Sequence, residues 1–402
     1  MTGFARTIRS VSQLSKSLAE ANRLFETGRA RPVVLEFPLD FLSAPAEIAP
    51  ANAEHWARPA ATAADLERAA ALIDAARRPV LLLGGGTVDC AGDARAFAEK
   101  TGCLVVTTTA GKGVFPDSHP ASVGSTLSKS ATRALLAEAD LVIAAGTELS
   151  ETDSWTDRLE LPGKLIRIDL DRYTLTRDYP PTVGLLADAG PTLKALADRS
   201  RGGRPPDVQR AAEIRARNHG NPDPLTGKHM AVLDAVRAAL PDDGMVFTDM
   251  TQIAYTGNHY FRCATPRSWF HPNGFGTLGY AMPAAIGAKI ACPERPVAAL
   301  AGDGGFLFTV QDLGTAVEQR LPIPIILWNN DALGQIAGDM AARGIPELGV
   351  KPRNPDFQAL ARAFGASAVR AESLGDLSEA IGRASSADGP TLIEVREDAP
   401  YL

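Results

Sequence analysis

A chain of 402 residues, at roughly 150 residues per domain, has room for two or three domains and a substantial core, which excludes a small one-domain binding module. Lys and Arg number 41 against 47 Asp and Glu, a net charge of -6 with no basic tract, so nucleic acid is not an expected partner. Cys90, Cys103, Cys263 and Cys292 form no closely spaced pair, which argues against a zinc site or a disulfide framework and favours a reducing, cytoplasmic setting.

The start of the chain, Met1 to Arg6, has no apolar run after its arginine and does not read as a secretory signal. Apolar residues at helical spacing (Val11, Leu14, Leu18, Ala21, Phe25) predict a helix between Ser10 and Gly28, and Pro32 to Pro38 predicts a short strand. The Ala- and Pro-rich stretch 46–62 reads as a linker. From there the pattern is regular. Helix Leu66–Ala76, strand Pro79–Leu83, helix Gly92–Thr101 and strand Leu104–Thr108 are followed by strands at Leu141–Gly146, Lys164–Leu170 and Leu185–Asp188 and one more helix. Alternating strands and helices imply a parallel sheet, here spanning 63–200.

A second linker is expected at 201–224, with a helical stretch inside it, and a third unit at 225–402. In that unit strands are expected at Met245–Thr248, Val297–Ala301, Ile323–Trp328 and Thr391–Val395. Helices are expected at His229–Ala239, Ala281–Ala291, Leu307–Gln319 and Phe357–Phe364. The most apolar stretch, 276–292, contains Pro283 and Lys289 and is wrong for a membrane span. The fold class is α/β: two three-layer domains with parallel sheets, preceded by an N-terminal helix-strand remnant.

The chemistry concentrates between Val297 and Asn330. One strand ends in Gly302-Asp303-Gly304 and the next in Asn329-Asn330, and in a parallel sheet both ends lie on the edge where ligands bind. Asp303, Asn330 and the carbonyl of Ala332 form a hard oxygen set suited to magnesium. Gly304 and Gly305, at a helix start, offer main-chain N–H groups to an anion. Either motif alone is a turn or a loop; together, with a helix between them, they point to a metal and a diphosphate.

This spacing of Gly-Asp-Gly and Asn-Asn resembles thiamine diphosphate enzymes, and Gly276 to Ala288 resembles the cofactor-bending segment of their acetolactate synthase and 2-oxo acid decarboxylase group. The resemblance implies thiamine diphosphate and Mg as cofactors. Leu278 becomes the apolar wedge that bends the cofactor and holds its two rings close, and the Gly276 carbonyl accepts from the aminopyrimidine. Thr251 and Gln252 fall where the family touches the diphosphate, while Asp249 reads equally well as a helix cap. His271 could face substrate, with a structural role preferred. Gln335, Asp339 and Met340 are candidates for the near wall of a substrate pocket, and Ile336 offers no proton.

Gly84-Gly85-Gly86 after a strand is a weak dinucleotide signal, since the third glycine of the fingerprint would fall at Asp89. In the family this central domain binds FAD in acetolactate synthases. The segment Gly146 to Asp153 is similar instead to flavin-free decarboxylases, including 5-guanidino-2-oxopentanoate decarboxylase, so FAD is not favoured. Residues 1–45 resemble only the last helix and strand of the family's pyrimidine-binding domain, and the activating glutamate belongs to the part not seen; Glu36 reads as a strand-end residue. The expectation is a 2-oxo acid decarboxylase or carboligase that is truncated and poorly active alone. The alternatives are a noncatalytic binding subunit, or half of a split enzyme. The substrate is a small 2-oxo acid, and the partner is a second copy or a complementary chain carrying the pyrimidine-binding domain.

Overall fold

The computed structural model describes residues 2–45 and 55–402, so most of the predicted linker 46–62 lies outside the described residues. Three parallel sheets follow one another along the chain. The first has two strands, β1 (Phe4–Thr7) and β2 (Val33–Glu36), joined by the helix Val11–Thr27. The expected helix-strand unit is therefore strand-helix-strand. β1 has four residues with Arg6 among them, too short and mixed to show a period.

The second sheet has six strands: β3 (Pro79–Leu83), β4 (Leu104–Thr107), β5 (Ser122–Gly124), β6 (Leu141–Ala145), β7 (Lys164–Asp169) and β8 (Val183–Leu186). Their spatial order is β5-β4-β3-β6-β7-β8, all parallel. β3 and β6 are buried at every position because helices cover both faces, which explains their unbroken apolar runs.

The third sheet also has six: β9 (Met245–Thr248), β10 (Trp269–Phe270), β11 (Val297–Gly302), β12 (Pro324–Asn329), β13 (Ser367–Arg370) and β14 (Thr391–Arg396), in the order β10-β9-β11-β12-β14-β13. Alternate residues feed two cores. Val297, Ala299 and Ala301 pack with Phe306 and Phe357 on one face, and Ala298 and Leu300 pack with Trp328 and Ile381 on the other.

Two expected helices differ. The helix forecast from His229 begins at Pro224, capped by the Asp223 side chain on the N–H groups of Leu225 and Thr226, with proline in the first turn where its missing N–H costs nothing. The single helix Leu307–Gln319 is instead a helix Asp303–Phe308, a 3-10 turn Val310–Asp312 and a helix Leu313–Glu318. Thr309 marks the break, where its hydroxyl donates to the Gly279 carbonyl at 3.1 Å and ties this crossover to the segment before the helix Ala281–Ala291.

Candidate cofactor site

In the third sheet β9 leads toward β10 on one side and β11 toward β12 on the other, so the crevice at the carboxyl ends of β9 and β11 is a topological switch point. A cavity of about 220 Å3 opens there. Thr251, Gln252, Gly276, Leu278, Asp303, Gly304, Gly305, Asn330 and Ala332 all line it. Gln335 and Ile336 complete the wall, whereas Asp339 and Met340 are not among its lining residues; exposed Asp339 accepts from the Gln335 amide at 3.2 Å.

Asp303 begins its helix directly from β11 and is 3% exposed. One carboxylate oxygen accepts from the Gly304 N–H at 2.8 Å and the other from the Asn354 amide at 2.7 Å. The Gly304 N–H, expected to be open for an anion, is thus engaged by its neighbour. Among the described residues no Lys, Arg or His pairs with Asp303, and burial, with Asp331 nearby, pushes its carboxyl above the usual range. A buried carboxylate without a cation is costly.

The Asn-Asn pair divides its work. Asn329 is buried, donating to Glu394 at 2.8 Å, and Asn330 lines the cavity, donating to Gln252 at 3.3 Å and accepting from the Ala332 N–H at 3.2 Å. Between Asn330 and Ala332, Asp331 adopts φ 53°, a left-handed conformation uncommon for a non-glycine residue. Its N–H donates to Asn329 at 3.2 Å and its carboxylate pairs with Arg396 at 2.9 Å, so the turn is held from both sides.

Gly276 (φ 73°) and Gly279 (φ 80°) shape the segment under Leu278. A Cβ on Gly279 would come within 2.9 Å of Phe308 and Thr309, so only glycine permits the approach. Asp249 is 1% exposed and accepts from the Tyr280 N–H at 2.9 Å. It supports the start of the helix Ala281–Ala291 rather than capping the helix after its own strand, and burial raises its pKa. His271 is bonded to the Thr248 hydroxyl at 2.8 Å, and burial lowers its pKa to about 4, so it is a neutral structural ring. Glu36 accepts from Thr7 on the neighbouring strand at 2.6 Å.

The donor set fits a divalent ion bound with a phosphate group. Among the described residues no cluster of three or more His, Cys, Asp or Glu side chains could hold a metal alone. This cavity offers one carboxylate, an amide oxygen and a carbonyl, the sparse set that magnesium uses when phosphate oxygens supply the rest. None of the described residues lining it is Lys or Arg, so diphosphate charge there would need the metal. Asn354, Asp331 and Tyr255 escaped sequence reasoning. Asn354 stands 24 positions beyond Asn330 with no motif around it.

Residues 249–395 match the C-terminal TPP binding domain of thiamine pyrophosphate enzymes, and residues 66–196 match the central domain of the same enzymes. The chain belongs to the thiamine pyrophosphate enzyme family. It is 43% identical over 402 residues to a probable 2-ketoarginine decarboxylase of Pseudomonas aeruginosa, covering 98% of this chain and 72% of the relative. It is 32% identical over 406 residues to the acetolactate synthase isozyme 1 large subunit of Escherichia coli, again covering 98% and 72%. An acetolactate synthase large subunit of Corynebacterium glutamicum is 31% identical over 416 residues, 96% of this chain and 66% of the relative. Among the described residues no helix is long and apolar enough to cross a membrane.

Proposed function

We propose that the chain binds thiamine diphosphate with Mg and serves the decarboxylation of a 2-oxo acid, a guanidino-substituted one being the first candidate and pyruvate carboligation the neighbouring reaction. The observation that carries this reading is Asp303, a buried carboxylate without a cation, on a cavity shared with Asn330, Ala332 and the glycine turns. Asp303, the Asn330 amide oxygen and the Ala332 carbonyl would hold the metal. Thr251, Gln252 and Gly305 would meet the diphosphate, and Leu278 and the Gly276 carbonyl would orient the ring system. When bound, the cofactor supplies the electron sink for loss of carbon dioxide. The chain's own contribution is orientation and an apolar wall of Leu278, Leu333 and Ile336. The guanidino substrate is supported by the 43% identical relative.

A second reading, a cofactor-holding chain completed by another chain or copy, draws on a specific feature. Asp303 is the one acid among the described residues lining the cavity, so a second carboxyl group has to come from beyond it. Phe275, next to Gly276, is 80% exposed, and Phe308, against Gly279, is 63% exposed, which gives a partner an apolar rim to cover. Calorimetric titration of the chain with thiamine diphosphate, with and without Mg, separates these ideas. Mg-dependent binding that is lost in Asp303→Ala supports the site, and binding indifferent to both sinks it. Turnover of 5-guanidino-2-oxopentanoate or pyruvate by the chain alone would remove the second reading.

A further inference from the structure

The second sheet has its own switch point, between β3 and β6, and a larger crevice of about 520 Å3 opens there. It is the place where an α/β sheet of this kind takes a dinucleotide. The glycines, charges and strand-end acid of this crevice are arranged differently.

First, the glycines are spent on packing. A Cβ on Gly84 would collide with the Gly146 carbonyl, and one on Gly86 would lie 2.8 Å from the Gly146 Cα. The Gly84 and Gly86 N–H groups donate to Ala145 and Gly146 at 2.9 and 3.0 Å. These small residues let two loops touch, and two of their N–H groups are taken.

Second, the charge has the wrong sign. Asp89, Glu148, Asp153, Asp169 and Asp188 line the crevice against Arg29 and Arg58. Both arginines are already paired: Arg29 with Glu148 at 2.7 Å and Asp169 at 3.0 Å, Arg58 with Asp188 at 2.9 Å. Asp89 is paired in turn with Arg267 at 2.7 Å, so a diphosphate would meet carboxylates and no uncommitted arginine on this wall.

Third, the strand-end acid is engaged. Asp169 closes β7 on the crevice wall, and its side chain is 3% exposed. Here it accepts from Arg29 and from the Asp171 N–H at 2.9 Å. Arg31, two residues on, pairs with Asp171 at 2.8 Å. Phe25, Gly28, Arg29 and Ala30, from the turn between the first helix and β2, themselves form part of the crevice wall.

We propose that the chain's own segment 25–31, latched by Arg29 and Arg31, closes one side of this crevice as a wall, and that the crevice accepts no flavin or adenine dinucleotide. FAD, which the family resemblance brings to this domain, does not fit the residues present.

The test titrates the purified chain with FAD up to about 100 µM, following flavin fluorescence, beside a melting curve showing a cooperative fold. No saturable quenching is expected; saturable quenching, or protein that purifies yellow with bound flavin, overturns the proposal. The latch has its own arm. Arg29→Ala is expected to speed thermolysin cleavage beside Phe25 about tenfold, with Arg29→Lys intermediate because one point charge replaces a two-pronged contact. Unchanged cleavage in Arg29→Ala would refute the latch even if flavin fails to bind.

Discussion

Two crevices occupy equivalent places in two six-stranded parallel sheets of one chain, and they are built on opposite charge logic. Beside β9 and β11 a single buried carboxylate faces a small cavity with no arginine among its described lining residues. Beside β3 and β6 five carboxylates face two arginines, and both arginines are paired. The topology makes a crevice in each case. What each can hold follows from which polar groups are left over after the protein has satisfied its own, so an unmet charge is more informative than a glycine-rich turn.

The largest expected effect tests the packing side of that contrast. Gly84→Ala forces a methyl into the Gly146 backbone and should cost about 3 kcal/mol of stability, read by urea denaturation, while Mg-dependent thiamine diphosphate binding survives under native conditions. A neutral Gly84→Ala would mean that the two loops are not held together as described.

Acid should next separate the two halves of the molecule. Burial lowers the pKa of His229 to about 4 and that of His259 to about 2, both near the seam between the two large sheets. In the unfolded chain each regains an ordinary value near 6.5, so the unfolded state binds more protons and stability falls as pH drops from about 6.5 toward 4. For His229, 2% exposed, the slope is about 1.4 kcal/mol per pH unit over that window. His229→Gln should flatten the dependence of the urea midpoint between pH 7 and 5; an unchanged slope would show that the ring is not buried neutral.

Asn354 sharpens the cofactor side. Its amide holds one oxygen of Asp303 at 2.7 Å, leaving the carboxylate oriented into the cavity. Asn354→Ala should weaken Mg affinity about tenfold and cost the metal-free protein only about 1 kcal/mol, since its amide also reaches Asp331 and Asn329. Unchanged Mg affinity would make it a packing residue only. The smallest effect is a control: Gly382 lies in the helix Leu374–Ala384 with open space where a Cβ would stand, and Gly382→Ala should stabilise by about 0.5 to 1 kcal/mol.

Much of this was legible in residue order because buried parallel strands are long apolar runs: β3, β9, β11, β12 and β14 fall within a residue or two of the expected limits. Short or exposed strands left no such trace. β10 has two residues, β13 is an exposed edge, and β5 ends in a glycine. The helix Gln252–Tyr260, interrupted by Gly257, was implied only by the reading of Asp249 as a cap; Trp269 packs where a Cβ at Gly257 would sit. In the cavity the same division holds. Motifs at strand ends converge because the sheet is parallel, so Asp303 and Asn330 could be paired on paper. Asn354 reaches them only through the path of a long loop, which no local pattern encodes.

The bond between Asn329 and Glu394 ties the cavity-facing turn to β14, 65 residues later in the chain. β14 lies between β12 and β13, so the sheet is not continuous until that stretch has emerged from the ribosome. During synthesis Asp303 and Asn330 are therefore made early but secured late, and a nascent chain halted before residue 394 would carry both motifs without the strand that braces them. Cofactor capture should mark the end of translation of this sheet rather than its beginning.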